Sequence, residues 1–451
     1  MHAYVTRTQH PIGHGGFHTG NLRIFTEADI SSGQPLEDFW YVYDCGSEDK
    51  AAFKRELMAH RRRSKGKTDF LFVSHLHSDH INGIERLLAM APAATVVVPY
   101  LDVVDRLIFL LDDMERGRAN SSAREYFEDP TGWWGRRGVD RVIFLEPGPP
   151  DGQGRADFPE PDAPFDGPLD GASIEEFSKL GKDPIAAMAD RLVRPRRISA
   201  ASTQRRALLA KPGSHFSLQW RTGPKARALS GDWILLPYVH PVATSARADF
   251  RKALIEMLEG GLHRKGDFTQ KLLAFLFDFQ KTKDLVDLYG DHFGHGHNAI
   301  SMSLYSGPSS GLPQQDRTRA WTREWLPSDT DLTYASEFLN CGNAVGWLKT
   351  GDSELKQRQR RDPWHEFYEP FSPQIGVLNL PHHGSRRNFH EEILGFQGLE
   401  LTVATTTARR RRVSKLHETL ELVEAAGKAT VIVDAAEYHR LQVSCSRTLS
   451  P

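Results

Sequence analysis

The apolar and polar positions divide the chain into three stretches. In residues 1–100, "NLRIFT" and "FWYVYDCGS" predict a pair of strands after a Gly/His-rich turn, "HPIGHGGFHTG". "FLFVSH" predicts a short buried strand. Ile81, Ile84, Leu87 and Leu88 then recur at helical spacing, and "ATVVVPY" predicts a further strand. Strand and helix alternate, which implies layered α/β architecture.

Residues 101–292 read as an insertion, partly helical. "VVDRLIFLLDDMERG" predicts a helix. "RVIFLEPGPP" leads into a Pro/Gly/Asp-rich stretch, Pro147 to Gly171, which predicts a long loop. "DWILLPYV" predicts a strand. Phe250, Leu254, Met257 and Leu258 mark one amphipathic helix, and Leu272 to Leu288 another. From residue 293 to 451 the pattern returns to strands: "AISMSLYSG", "AVGWLKTGD", "IGVLNLPHHGS", "LTVATTT" and "ATVIVDA", with a helix over Leu416 to Ala426. Two α/β halves, 1–100 and 293–451, thus flank the insertion, and together they predict a sheet-on-sheet sandwich with helices outside.

Composition excludes several classes. The net charge of −1 gives no global field toward nucleic acid or membrane, so any such attraction is local. Three cysteines, Cys45, Cys341 and Cys445, are too few and too scattered for a disulfide framework and fit a reducing cytoplasm. The opening "MHAYVTRTQHPIG" has no apolar core of a signal peptide, and "LLAFLFDF" is too short to cross a bilayer.

Candidate chemistry begins where "FLFVSHLHSDHINGIERLL" ends its apolar run in His75, His77, Asp79 and His80. A lone histidine there would be a turn residue. Four ligand-type side chains on a strand-to-helix loop, at the carboxyl end of a strand, are a metal-site pattern. Imidazole with carboxylate suits zinc, with manganese or iron as alternatives. Further candidates also stand at ends of apolar runs: Asp352 closes "WLKTGD", His382 and His383 close "GVLNLPHH", and His297 precedes "NAISMSLYSG".

Together these residues resemble the metallo-β-lactamase superfamily, whose pattern is a first-strand Asp, H-x-H-x-D-H, a downstream His, an Asp after "TG" and a final His. They correspond to Asp44, to His75, His77, Asp79 and His80, then to His297, Asp352 and His382 or His383. "TGD" with "PHHGS", and Asn298 with Ser301, resemble the ComEC-like branch in particular. His77 stands where that branch often has Asp. The resemblance implies a four-layer αβ/βα sandwich and two divalent ions. In that arrangement His75, His77 and His297 hold one ion, and Asp79, His80 and His382 or His383 the other, with Asp352 bridging and Asp44 orienting a ligand or the loop. The implied reaction is hydrolysis by a water ionised between the two ions. Asp79 and Asp352 are then catalytic, His417 is a candidate proton donor or phosphate contact, and Ser385 is a candidate anion contact or helix cap.

Substrate choice rests on other features. "RRRSKGK" (61–67), "RPRR" (194–197) and "ARRRRVSK" (408–415) are basic runs able to meet phosphates, and Trp133, Trp134, Trp321 and Trp325 are able to stack on bases or to fill a core. The leading expectation is a phosphodiesterase acting on nucleic acid or a nucleotide. Its alternatives are an ester, lactone, thioester or β-lactam hydrolase, and an effector or scaffold in a multiprotein system, such as a bacterial defence assembly, with residues 101–292 docking a protein partner. No membrane association is expected.

Overall fold

The computed structural model describes residues 2–25, 29–30, 33–101, 103–115, 121–147, 206–210, 213–220, 229–240, 245–258, 272, 274–276, 278–293, 300–308, 322–326, 344–407 and 410–448. Two sheets dominate. The first contains β1 (His2–Gln9), β2 (Gly15–Phe25), β3 (Glu37–Ser47), β4 (Thr68–Phe72), β5 (Ala93–Pro99), β6 (Arg141–Leu145) and β7 (Arg206–Ala210) side by side. The second contains β8 (Phe216–Trp220), β9 (Leu229–Val239) and β10 (Met302–Pro308). β11 (Thr322–Leu326) returns to the first sheet, and β12 (Gly346–Lys349), β13 (Ile375–Asn379), β14 (Leu401–Thr405) and β15 (Ala429–Val433) complete the second. Finally β16 (Leu441–Thr448) enters the first sheet between β11 and β1. From β3 to β7, and again from β12 to β15, neighbours run parallel.

The inner faces share one core. Phe72 and Val73 belong to the same apolar cluster as Trp233, Leu235, Met302 and Leu304 of the opposite sheet. Polar ties cross the same gap. Arg7 of β1 is fully buried, donates through Nη1 to the Ser306 carbonyl at 3.1 Å, and lies over the rings of Trp233 and Trp347. Desolvating a guanidinium is tolerable only with such partners.

Helices cover the outer faces. α1 (Lys50–Ser64) starts at Asp49, whose side chain accepts from the Ala51 and Ala52 N–H groups, and buries Phe53 and Leu57. α2 (Ser78–Ile81) and α3 (Ile84–Met90) follow β4. α4 (Val103–Glu115), α5 (Ser121–Glu128) and α6 (Pro130–Arg136) follow β5. α7 (Ser245–Met257) and α8 (Phe279–Phe293) join α4 in a separate apolar cluster that includes Leu107, Leu111, Phe250, Leu254, Leu285 and Tyr289. α9 (Arg358–Tyr368) and α10 (Arg410–Ala425) cover the second sheet with Trp364, Tyr368, Leu416 and Val423. The result is the expected mixed α/β sandwich of metallo-β-lactamase type.

One expectation needs correction. The segment 101–292 does not stand apart from the sandwich: β6 and β7 extend the first sheet, and β8 and β9 extend the second. Their backbone groups are paired within those sheets, so boundaries at 100 and 293 cut through both. Among the described residues of this segment, α4, α7 and α8 pack in an apolar cluster of their own. The run 147–171 lies outside the described residues except at its first position. Trp133 and Trp134 are buried against each other and Tyr126, which is packing rather than a surface for stacking bases. Trp321, the Trp325 side chain and the 194–197 run lie outside what is described.

A buried acidic knot joins α1 and the turn after β1 to Arg440, just before β16. Glu56 of α1 receives Arg440 at 2.9 Å and Arg55 at 3.0 Å, and stands 3.1 Å from His10 Nδ1. Burial alone would raise its pKa. The His10 bond and charge, with Arg440, outweigh that and hold it down to about 2. A depressed carboxylate contributes stability above its ordinary value, and that contribution disappears as pH falls through the folded value. Glu56→Gln should therefore lower the urea midpoint at pH 7, and the gap from wild type should close between pH 4.5 and about 2.

Candidate metal centre

The site forms where the loop after β4 meets the ends of β3, β12, β13 and β14. Asp44, at the carboxyl end of β3, adopts a left-handed φ of 59°. Its buried carboxylate accepts from Ser74 N at 2.6 Å, from Ser74 Oγ at 2.7 Å and from His80 Nδ1 at 2.8 Å. One acidic side chain thus fixes both the start and the end of the His75–His80 loop, as expected for an orienting residue. Gly16 makes this approach possible, because a Cβ there would sit 2.5 Å from Asp44 Cβ and 2.7 Å from His80 Nδ1. Gly16→Ala should cost about 1–3 kcal/mol by overpacking. A lower urea midpoint together with displaced His80 chemistry would be the observed result.

From the second sheet, Asp352 follows β12, with its N–H held by Ser301 Oγ at 3.0 Å. His382 and His383 lie in the turn Pro381–Gly384, with left-handed φ values of 46° and 58°. Left-handed backbone at two successive non-glycine residues is costly, and such strain clusters at functional sites. His383 Nδ1 is anchored by Thr405 Oγ1 at 3.0 Å. Ser385 closes the turn through its backbone N–H, which donates to the His382 carbonyl at 2.9 Å.

Asp352 is the hub. Its Oδ2 lies 3.6 Å from His75 Nε2 and 3.7 Å from His382 Nε2. Its Oδ1 lies 3.4 Å from His80 Nε2 and 3.8 Å from His383 Nε2. Asp79 Oδ2 is 3.8 Å from His80 Nε2 and 3.7 Å from His383 Nε2. The structure therefore brings His75, Asp79, His80, Asp352, His382 and His383 together, with His77 beside His75 at a ring separation of 4.7 Å. His297 lies outside the described residues. His417 is not part of this group. It is largely exposed on α10, with Nδ1 3.1 Å from Glu421.

The donor set fits a metal. The Nδ1 atoms of His75, His80 and His383 are engaged by Ser74, Asp44 and Thr405, whereas their Nε2 atoms are buried with no hydrogen bond. Buried polar atoms are normally satisfied. Two ligands about 2.1 Å from a tetrahedral ion are about 3.4 Å apart, close to the contacts just given and too long for good hydrogen bonds. Two groups, His75–His80–Asp352 and His14–Asp79–His383, have ligand atoms within 4.8 Å of one another.

Electrostatics agree. Burial alone would raise the pKa values of Asp79 and Asp352. The neighbouring imidazoles, His80 first for Asp79 and His382 first for Asp352, hold both well below the usual carboxylate range. Burial, with His80 adding to it, pushes His75 far down, which leaves a neutral ring with a lone pair. For His80 burial acts in the same sense, but Asp352, Asp44 and Asp79 outweigh it and raise the pKa well above normal.

Three nearby residues escaped the sequence reading. His14, in the Gly/His-rich turn, has Nε2 3.8 Å from Asp79 Oδ2 and stacks at 3.8 Å on His383. Asp112 of α4 stands 3.2 Å from His77 Nε2. Lys349 of β12 is buried beside Tyr43 and pushed down to about 7 by burial, with Asp44 opposing the shift. Only His14 carried a signal, the density of histidine and glycine around it.

Fold and site define an α/β sandwich with a buried histidine–carboxylate centre at the sheet ends. A model of the Metallo-beta-lactamase superfamily matches residues 36–174, a span that includes β3 to β6 and the whole His75–His80 loop. No curated protein matches the chain. The match and the centre together indicate a metal-dependent hydrolase. No helix among the described residues is long and apolar enough to cross a membrane.

Proposed function

We propose that the protein is a phosphodiesterase with two divalent ions, zinc first, sharing Asp352. The carrying observation is that the two Asp352 oxygens face different histidine pairs, His75 with His382 and His80 with His383. Asp79 joins the second pair, with His14 beside it. His77 belongs with the first. When bound, such ions would supply Lewis acidity and lower the pKa of a coordinated water. The chain's own work is to hold the imidazoles and the ionised carboxylates in fixed positions, with Asp44, Ser74 and Thr405 setting the rings. His382, about one-third exposed, stands at the mouth of the site and is the ring best able to meet an incoming substrate.

An anionic substrate is favoured by α10. This helix starts at Arg410, shortly beyond Thr405, and opens "RRRVSK", while its Leu416 fills the space a side chain at Gly384 would need. The helix that follows Thr405 therefore packs through Leu416 on the His382–His383 turn. The run 61–67, by contrast, leads into the amino end of β4, away from the site. Resemblance to the ComEC-like branch, through "TGD" and "PHHGS", points the same way. The test is hydrolysis of bis-p-nitrophenyl phosphate against a panel of lactones and esters, after metal removal and add-back. Metal-dependent turnover of the phosphodiester alone is expected; turnover of the lactones alone would overturn the substrate class.

A further inference from the structure

The loop after β4 meets the helical segment of the chain at His77. Nε2 of that ring is 3.2 Å from Oδ2 of Asp112, and both side chains are buried. Phe109, one turn earlier on the same face of α4, sets its ring edge-on to His77 at 5.2 Å. The other Asp112 oxygen accepts from the Tyr289 hydroxyl of α8 at 3.3 Å. α4 is tied in turn to α7 by Arg247, whose Nε donates to Asp105 at 2.6 Å. Two carboxylates of α4 thus tie it to its neighbours, Asp105 to α7 and Asp112 to α8, and Asp112 also faces His77.

We propose that Asp112 is a positioning residue for the first ion: it takes the Nε2 proton of His77 and leaves Nδ1 of that ring to face the ion. The proposal rests on the two-ion reading above. Its support is a contrast within the site. His75, His80 and His383 have Nδ1 engaged by the protein and present Nε2. At His77 the carboxylate nearest Nε2 is Asp112, at 3.2 Å, where the other three rings meet Asp352 or Asp79. A carboxylate on the far nitrogen of a ligating histidine fixes its tautomer, fixes the ring and raises its basicity. The proposal gives the helical cluster a role at the centre of the reaction site, in place of the partner-docking role considered from sequence.

The experiment compares wild type, Asp112→Asn and Tyr289→Phe, full length, each stripped and then titrated with zinc or cobalt. Bound ions are counted by elemental analysis, affinities are read by chelator competition, and the cobalt absorption spectrum reports the ligand field. Asp112→Asn should bind the first ion about 10–100-fold more weakly. It should refill that site at raised metal with a shifted cobalt band, and keep the second ion unchanged. Tyr289→Phe should shift affinity in the same direction by less. The metal-free forms should melt together, which separates positioning from a general loss of packing. Wild-type affinities and spectrum in Asp112→Asn, with two ions in wild type, would overturn the proposal and leave the two-ion reading intact. A first site that never refills would also overturn it, since Asp112 would then be a ligand. Fewer than two ions in wild type would overturn the two-ion reading itself, and the proposal with it.

Discussion

Asp352→Asn is expected to reduce hydrolysis by about 10³-fold or more, roughly 4 kcal/mol of barrier. Four imidazoles face its two oxygens within 3.8 Å, so the amide would lose the negative charge that both histidine pairs share. The substitution conserves volume, and Ser301 would still hold the backbone N–H. The fold should therefore survive while the centre fails. Steady-state turnover and ion counting on the same sample check this. Two tightly held ions and more than a tenth of wild-type turnover in the variant would remove Asp352 from the centre of the reaction.

Stripping the ions should also destabilise the protein. A ligand that binds only the folded state stabilises it by about 4 kcal/mol when present at a thousand times its dissociation constant. A drop of several degrees in melting temperature is expected on chelation, with recovery on re-addition of zinc. The pH dependence has a definite sign. In the metal-free protein the His80 pKa is raised, against burial, by Asp352, Asp44 and Asp79. That contribution is fully present below the unfolded value of about 6.5 and is lost as pH rises through the folded value. Ion binding gains over the same range, because the ligands shed their protons. The melting gap between loaded and stripped protein should widen from pH 6.5 upward. A constant or narrowing gap would show that the histidine cluster does not hold the ions.

Much of the site was legible because its residues punctuate apolar runs. Asp44 ends the apolar run of β3, and His75, Asp352 and His382 each follow a buried strand, so that a polar ligand-type side chain breaks an otherwise apolar pattern. Asp112 gave no such signal. In "LLDDME" it reads as the solvated edge of an amphipathic helix, yet α4 is buried on nearly all sides, including Asp105, Asp112 and Asp113. Lys349 likewise reads as the polar end of a strand, and its burial depends on Gln9, far away in sequence, which accepts its ammonium. Among strands, β1 and β16 were missed because "HAYVTRTQ" and "LQVSCSRT" alternate apolar residues with Thr, Ser and Arg. Their polar groups find partners only once distant parts of the chain pair within the first sheet: Thr6 bonds Ser444, 438 residues on. The segment 101–292 was set aside as one unit because its short strands are separated by long stretches, and sheet membership is not a local property.

The pairing of β1 with β16, His2 opposite Thr448, carries a practical consequence. A product truncated before residue 441 would leave β1 with an open hydrogen-bonding edge, the kind of template that recruits other chains. Such fragments would aggregate even with every metal-centre residue intact.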